Sequence, residues 1–261
     1  MGIDPAARLA AANNAAWCAA VCRTHGLATK TTADVWWSAA RTPPLFPDCV
    51  TLVPGAAPEL LLAIIDSSAG CSVKDSFADL DLGPSGFTVV HEASWIARDT
   101  TAVATGAPLR WRRVDQGEGF DRWMKGWRAA YDAPADVLRP TLLSDPTVSA
   151  LEADRDGELV AGAIVNDAAS VLGVSNVFVV GEREDDGAAD ETVAAGNGAD
   201  WAADAETRGV LDPWPSLVGY LVRQHRYRTI VGYESGHDLE RAVAAGFRPA
   251  GPLRVWMRLG D

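Results

Sequence analysis

The sequence is short of positive charge. Among 261 residues, 23 are Lys or Arg and 35 are Asp or Glu, a formal net charge of −12 at pH 7. Phosphate backbones are bound through basic faces, so this balance argues against a nucleic-acid partner. An apolar run of about 18 residues, the least a membrane-crossing helix needs, is also lacking, so no span is expected. The opening segment MGIDPAARLAAANNAAWCAA has no basic region leading into a compact apolar stretch. It predicts a helix rather than a secretory signal, and with it a cytoplasmic protein. Cysteine is scarce too: Cys18, Cys22, Cys49 and Cys71, with no Cys-x-x-Cys pair. Cys18, Cys22 and His25 would share one helix face, a spacing a metal could use, but the same spacing suits buried thiols on an amphipathic helix. The second reading is adopted, so reduced thiols and no metal are expected.

What is abundant is unevenly placed. Residues 182–206 hold nine acids and one arginine. Such a stretch suits a solvated insertion, or a surface that steers a cationic substrate. There are ten tryptophans. Trp36, Trp37, Trp95, Trp111, Trp123 and Trp127 lie on apolar faces and are expected in the core. Trp201 and Trp214 stand beside the acidic stretch and are expected to line a pocket for a cationic amine.

Periodicity divides the chain at about residue 107. Ala7 to Cys22 predicts a helix, and Asp34 could cap a second, short one through Ala40 before prolines 43, 44 and 47 end it. CVTLV predicts a strand, APELLLAIID a helix and GFTVVHEASWIAR one long strand or a strand pair. Beyond Pro108, LRWRRVD alternates as a strand with one wet face, and GFDRWMKGWRAAY carries an apolar stripe at helical spacing. VSALEADRDGELVAGAIVND predicts a hairpin turning at Asp156-Gly157, and VSNVFVV a strand buried on both faces. SLVGYLVRQ predicts a helix, TIVGYE a strand, DLERAVAAGF a helix capped by Asp238, and LRVWMRL a final strand. The sum is an α/β (α+β) sandwich: a mixed, mostly antiparallel sheet flanked by helices. The two parts also echo each other. Gly86-Phe87 and Gly246-Phe247 stand 160 residues apart, as do Arg98 and Arg258.

TIVGYESGHDLERAVAAGFRPAGPLRVWMR, with the hairpin and VSNVFVV before it, resembles the GNAT-type N-acetyltransferase superfamily. The likeness covers residues 108–261, and the echo suggests that residues 1–107 are a truncated second copy. The resemblance implies an acyltransferase that takes acetyl-CoA or another acyl-CoA and acylates an amine of a small molecule or peptide. It also leaves room for a catalytically inactive binding or dimerisation module, with a homodimer as partner. By the same resemblance the main chain of Asn176, Val177, Phe178 and Val179 would hold the thioester and pantetheine. Ser235 stands where the family often has asparagine. The family's phosphate loop would follow Val180, where GEREDDG is a poor cradle; Gly196 and Gly198 satisfy its Gly-x-Gly part further on. Ala242 occupies the place of the family's frequent tyrosine acid. The remaining candidates for proton transfer are Tyr233, Glu234 and His237, at the end of a buried strand.

Overall fold

In the computed structural model, residues 2–99, 109–181, 211–225 and 228–260 are described. The proposed boundary at 107/108 falls outside them.

The first helix, α1 (Pro5–Thr24), starts where Asp4 accepts from Ala6 N at 2.9 Å and Pro5 fills the first position. Short strands follow: β1 (Thr29–Thr31), β2 (Val35–Ser38) and β3 (Cys49–Thr51), then the brief helix α2 (Pro58–Leu62). Next come β4 (Ser72–Asp75) and the long β5 (Thr88–Arg98). The second part contributes β6 (Arg110–Arg113), α3 (Glu118–Ala130), β7 (Val148–Arg155), β8 (Glu158–Ala168) and β9 (Val171–Val179). It ends with α4 (Trp214–Gln224), β10 (Ile230–Glu234), α5 (Gly236–Ala244) and β11 (Arg248–Met257).

Two sequence expectations need correction here. The segment expected to form a helix after Asp34 is strand β2, because Val35, Trp36 and Trp37 prefer a pleated surface, and each pairs with β3. The cap of α5 is Ser235 rather than Asp238. Asp238 sits inside the first turn, where its charge still suits the helix N-terminus.

Among the described residues, eleven strands form one sheet in the order β1-β2-β3-β4-β11-β5-β10-β9-β8-β7-β6. Of the pairs among these described strands, β3·β4 and β9·β10 run parallel and the others antiparallel. The mixed, mostly antiparallel sheet flanked by helices is therefore present as the sequence predicts. The α1 and α3 helices share a core on one face with Phe178 and Ile164. Helices α4 and α5 cover the other, where Leu217, Val218 and Ala242 pack with Leu151 and Ile230.

Sheet order departs from chain order at the centre. The β5 strand lies between β10 and β11, and β11 lies between β4 and β5. Ala93 of β5 faces Leu253 of β11, 160 residues away, and the pairs on either side follow a local two-fold relation. Lys74 opposite Val255 on one side matches Tyr233 opposite Trp95 on the other. The echo reaches the side chains as well. Arg98 donates to Ala245 O at 2.7 Å and crowds Gly246, where a Cβ would sit 1.7 Å from its Nη1. Arg258 donates to Ser67 O at 3.1 Å beside Gly86.

The N-terminus is tied to β11 through an ion pair of Asp4 with Arg248. That guanidinium, with the Ala6 amide, holds the Asp4 carboxyl below the usual carboxylate range. A carboxyl depressed in the folded state adds stability that is complete above its unfolded value, about 3.9, and is lost as pH falls through the folded one. Asp4→Asn should therefore flatten the fall in unfolding free energy between about pH 5 and about pH 3, read from urea melts at each pH. An unchanged slope would mean Asp4 does not contribute to acid sensitivity.

Candidate active site

The site is built where β9 and β10 part. Two registered pairs join them, Leu172 with Ile230 and Gly173 with Val231. Beyond these, β10 pairs with β5 through Gly232, Tyr233 and Glu234, while β9 follows β8. Gly232 stands in the crotch: a Cβ there would meet Val174 O at 2.7 Å. The divergence on the β9 side is a bulge. Ile164 faces Ser175 and Gly162 faces Phe178, so one residue of β8 opposes two of β9. Asn176 takes φ +53°, a left-handed conformation asparagine tolerates better than most. Two aromatic residues of α3 and its end pin the bulge: Trp127 Nε1 donates to Asn176 Oδ1 at 3.0 Å, and Tyr131 OH donates to Val177 O at 3.0 Å.

The fork opens into a cleft of about 280 Å³ on the α1/α3 face. Its walls are aromatic, from Trp17, Phe46, Trp127, Tyr131 and Tyr233, and its polar lining includes Asn14, Lys74, His91, Ser175, Asn176 and Glu234. Phe46 comes from a loop fixed by the buried Asp48. That carboxylate accepts from Thr42 N at 2.8 Å and Ser72 N at 3.0 Å and pairs with Arg41 at 2.5 Å.

The predicted site residues are distributed unequally around this cleft. Asn176, Tyr233 and Glu234 line it, next to Ser175, which the sequence did not single out. The Val177 carbonyl is already taken by Tyr131, while Phe178 turns its ring into the core against Trp123. His237 is exposed on α5 with Nδ1 3.2 Å from Glu240, and is not part of the cleft lining. Ser235 holds the α5 N-cap position without a side-chain cap bond. Gly196, Gly198 and Trp201 lie outside the described residues. Trp214 corrects the sequence reading: it is fully buried in edge contact with Phe247, so it belongs to the core rather than to a pocket. Ala242 is also fully buried, in the same cluster. Cys18 and Cys22 pack on the buried face of α1, where burial pushes their thiols up to about 12 and about 11. His25 Nε2 is engaged at 2.9 Å by Val137 O.

Sequence reasoning missed Lys74. Its side chain is buried, donates to Asn14 Oδ1 at 3.2 Å and places Nζ 3.9 Å from the centre of the Tyr233 ring. The signal was available in the echo, which lays β4 over β10 and so brings Lys74 to the end of the forked strand.

A sheet that forks after two parallel pairs, with a bulge on one tine and helices on both faces, matches known proteins in shape. The chain is similar to a GCN5-related N-acetyltransferase from Kribbella flavida, with 15% identity, 100% of this chain and 98% of that one covered, and a TM-score of 0.65. It is also similar to a putative acetyltransferase of the GNAT family from Novosphingobium aromaticivorans DSM 12444, at 12% identity, 93% and 97% coverage and a TM-score of 0.52. The fold is the GNAT fold. No protein-family model matches the chain, and no curated protein does. The GNAT likeness extends over the whole chain, beyond the residues 108–261 on which the sequence resemblance rested. Among the described residues, no helix is long and apolar enough to cross a membrane.

Proposed function

We propose that the chain transfers an acyl group from acetyl-CoA or a longer acyl-CoA to an amine of a small molecule or peptide. One observation carries this reading: β9 and β10 separate after Gly173 and Val231, leaving a cleft where main chain and polar side chains can meet a thioester. An acyl-CoA supplies the activated carbonyl. In this reading the main chain from Asn176 to Val179 is the rail beside which pantetheine extends. Glu234, at the end of β10, collects the amine proton directly or through a water. Tyr233, the residue before it on β10, is the hydroxyl this reading assigns to protonate the departing thiolate. The 160-residue echo and the exchanged β5 and β11 support treating residues 1–107 as a shrunken copy of the second part.

A second reading, a binding or dimerisation module without catalysis, is favoured by Ala242. This residue packs with no exposure where the family often keeps an acid. The two readings separate in one series. Titration of the full chain with acetyl-CoA and longer acyl-CoAs should give saturable heat, and ligand at about a hundred times its Kd should add about 2.7 kcal/mol to stability. Neither heat nor thermal shift with any of them would end the cofactor reading. Binding with no release of free thiol in the presence of amines would establish the module.

A further inference from the structure

Lys74 is an unusual residue to find at the floor of a cleft. It is only 4% exposed, yet among the described residues it forms no ion pair with a carboxylate. Burying an ammonium costs several kcal/mol unless charge or hydrogen bonds replace its water. Here one neutral amide oxygen, from Asn14, takes one of its three protons, and the Tyr233 ring faces the charge. A cation over an aromatic face gains about 0.5–2 kcal/mol, which leaves two donors and most of the charge without a counterpart. Both Lys74 and Asn14 line the cleft.

We propose that Lys74 is the carboxylate-binding group of an acceptor subsite, and that the acceptor is a single amino acid or a similar amine carrying a carboxylate and an apolar body. This rests on the acyltransferase reading for the word acceptor, but not for the binding itself. A carboxylate would supply the missing charge with a charge-assisted hydrogen bond. Trp17, Phe46 and Trp127 would take the apolar body. Glu234, lining the same cleft, would face the amine. The cleft volume of about 280 Å³ is just under the usual range of ligand sites, about 300–1,000 Å³, and suits an acceptor of about one residue in size.

The test uses the full chain without acyl-CoA and three probes: L-phenylalanine, 3-phenylpropionate, which lacks the amine, and phenethylamine, which lacks the carboxylate. Calorimetry should show both carboxylates binding and phenethylamine binding much more weakly. Lys74→Met should weaken the carboxylates about ten- to a hundredfold, while Lys74→Arg should retain most of the affinity. Equal binding of phenethylamine and phenylpropionate, or no binding of any probe at millimolar concentration, overturns the subsite. Undiminished binding in a folded Lys74→Met does the same. If that variant does not fold, the comparison of probes on the native chain decides alone. Acyl-CoA binding with no carboxylate binding removes the subsite and leaves the proposed function; the reverse result removes the function and leaves the subsite.

Discussion

Asp48→Ala is expected to lower the unfolding free energy by about 3–5 kcal/mol, because two buried amides lose their acceptor at about 1–3 kcal/mol each and a half-buried Arg41 loses a partner. Asp48 is 1% exposed, and its two oxygens serve Arg41, the Thr42 amide, the Thr42 hydroxyl at 3.1 Å and the Ser72 amide. Alanine would leave two buried N–H groups without their acceptor and remove the partner of Arg41 Nη1, while Arg41 Nη2 keeps Ser68 and Asp66. The consequence reaches the cleft, because the loop closed by these bonds carries Phe46 against Trp17, with ring centres 5.8 Å apart. The variant should therefore also lose affinity for any ligand held by that wall. Asp48→Asn keeps the shape but turns a donor toward Arg41, so an intermediate loss is expected. Urea melts of the three chains measure this, and a loss of less than about 1 kcal/mol for Asp48→Ala would show the network to be dispensable.

Gly173→Ala should be nearly as damaging. Gly173 is the last residue of β9 in register with β10, and a Cβ there would sit 1.9 Å from Asn13 Oδ1 and 2.3 Å from Asn166 Oδ1. Those amides are the bolt between α1 and β8: Asn13 donates to Asn166 O and Ala168 O, and Asn166 donates back to Asn13 O, each at 3.1 Å. The added methyl must displace them, so overpacking of about 1–3 kcal/mol adds to broken buried hydrogen bonds of similar size. Because part of the conflict is with Asn13, an Asn13→Ala background should absorb some of the cost. A double-mutant cycle should show a coupling of at least about 0.5 kcal/mol. Strict additivity would mean that the methyl is accommodated elsewhere.

The second half of the chain was readable because its elements are long and regular. The stripe Phe120, Trp123, Trp127 is a helix face, and Asp156-Gly157 turns the hairpin with φ +56° and +87°, as the mirror-image turn requires. In the first half the strands before β5 are three or four residues long, too short for a period to declare itself. Strand β4 went unseen because SVKD looks like a surface turn. Yet Asp75 is fully buried, accepting from Leu80 N at 3.0 Å, and Lys74 is buried beside the cleft. A lysine is almost never enclosed, so only a partner for its charge, or the need for one, marks it. The fork itself leaves little trace in sequence: Gly232 and Asn176 are its only marks, and each has commoner uses.

The exchanged central strands bear on how the chain is made. The neighbours of β5 are β10 and β11 alone, so this eleven-residue strand leaves the ribosome more than a hundred residues before anything in the native sheet can cover either of its edges. A nascent chain would thus carry a bare template for misannealing until its final segment arrives. The glutamate, histidine and serine interspersed along β5 are the protection it has during that wait.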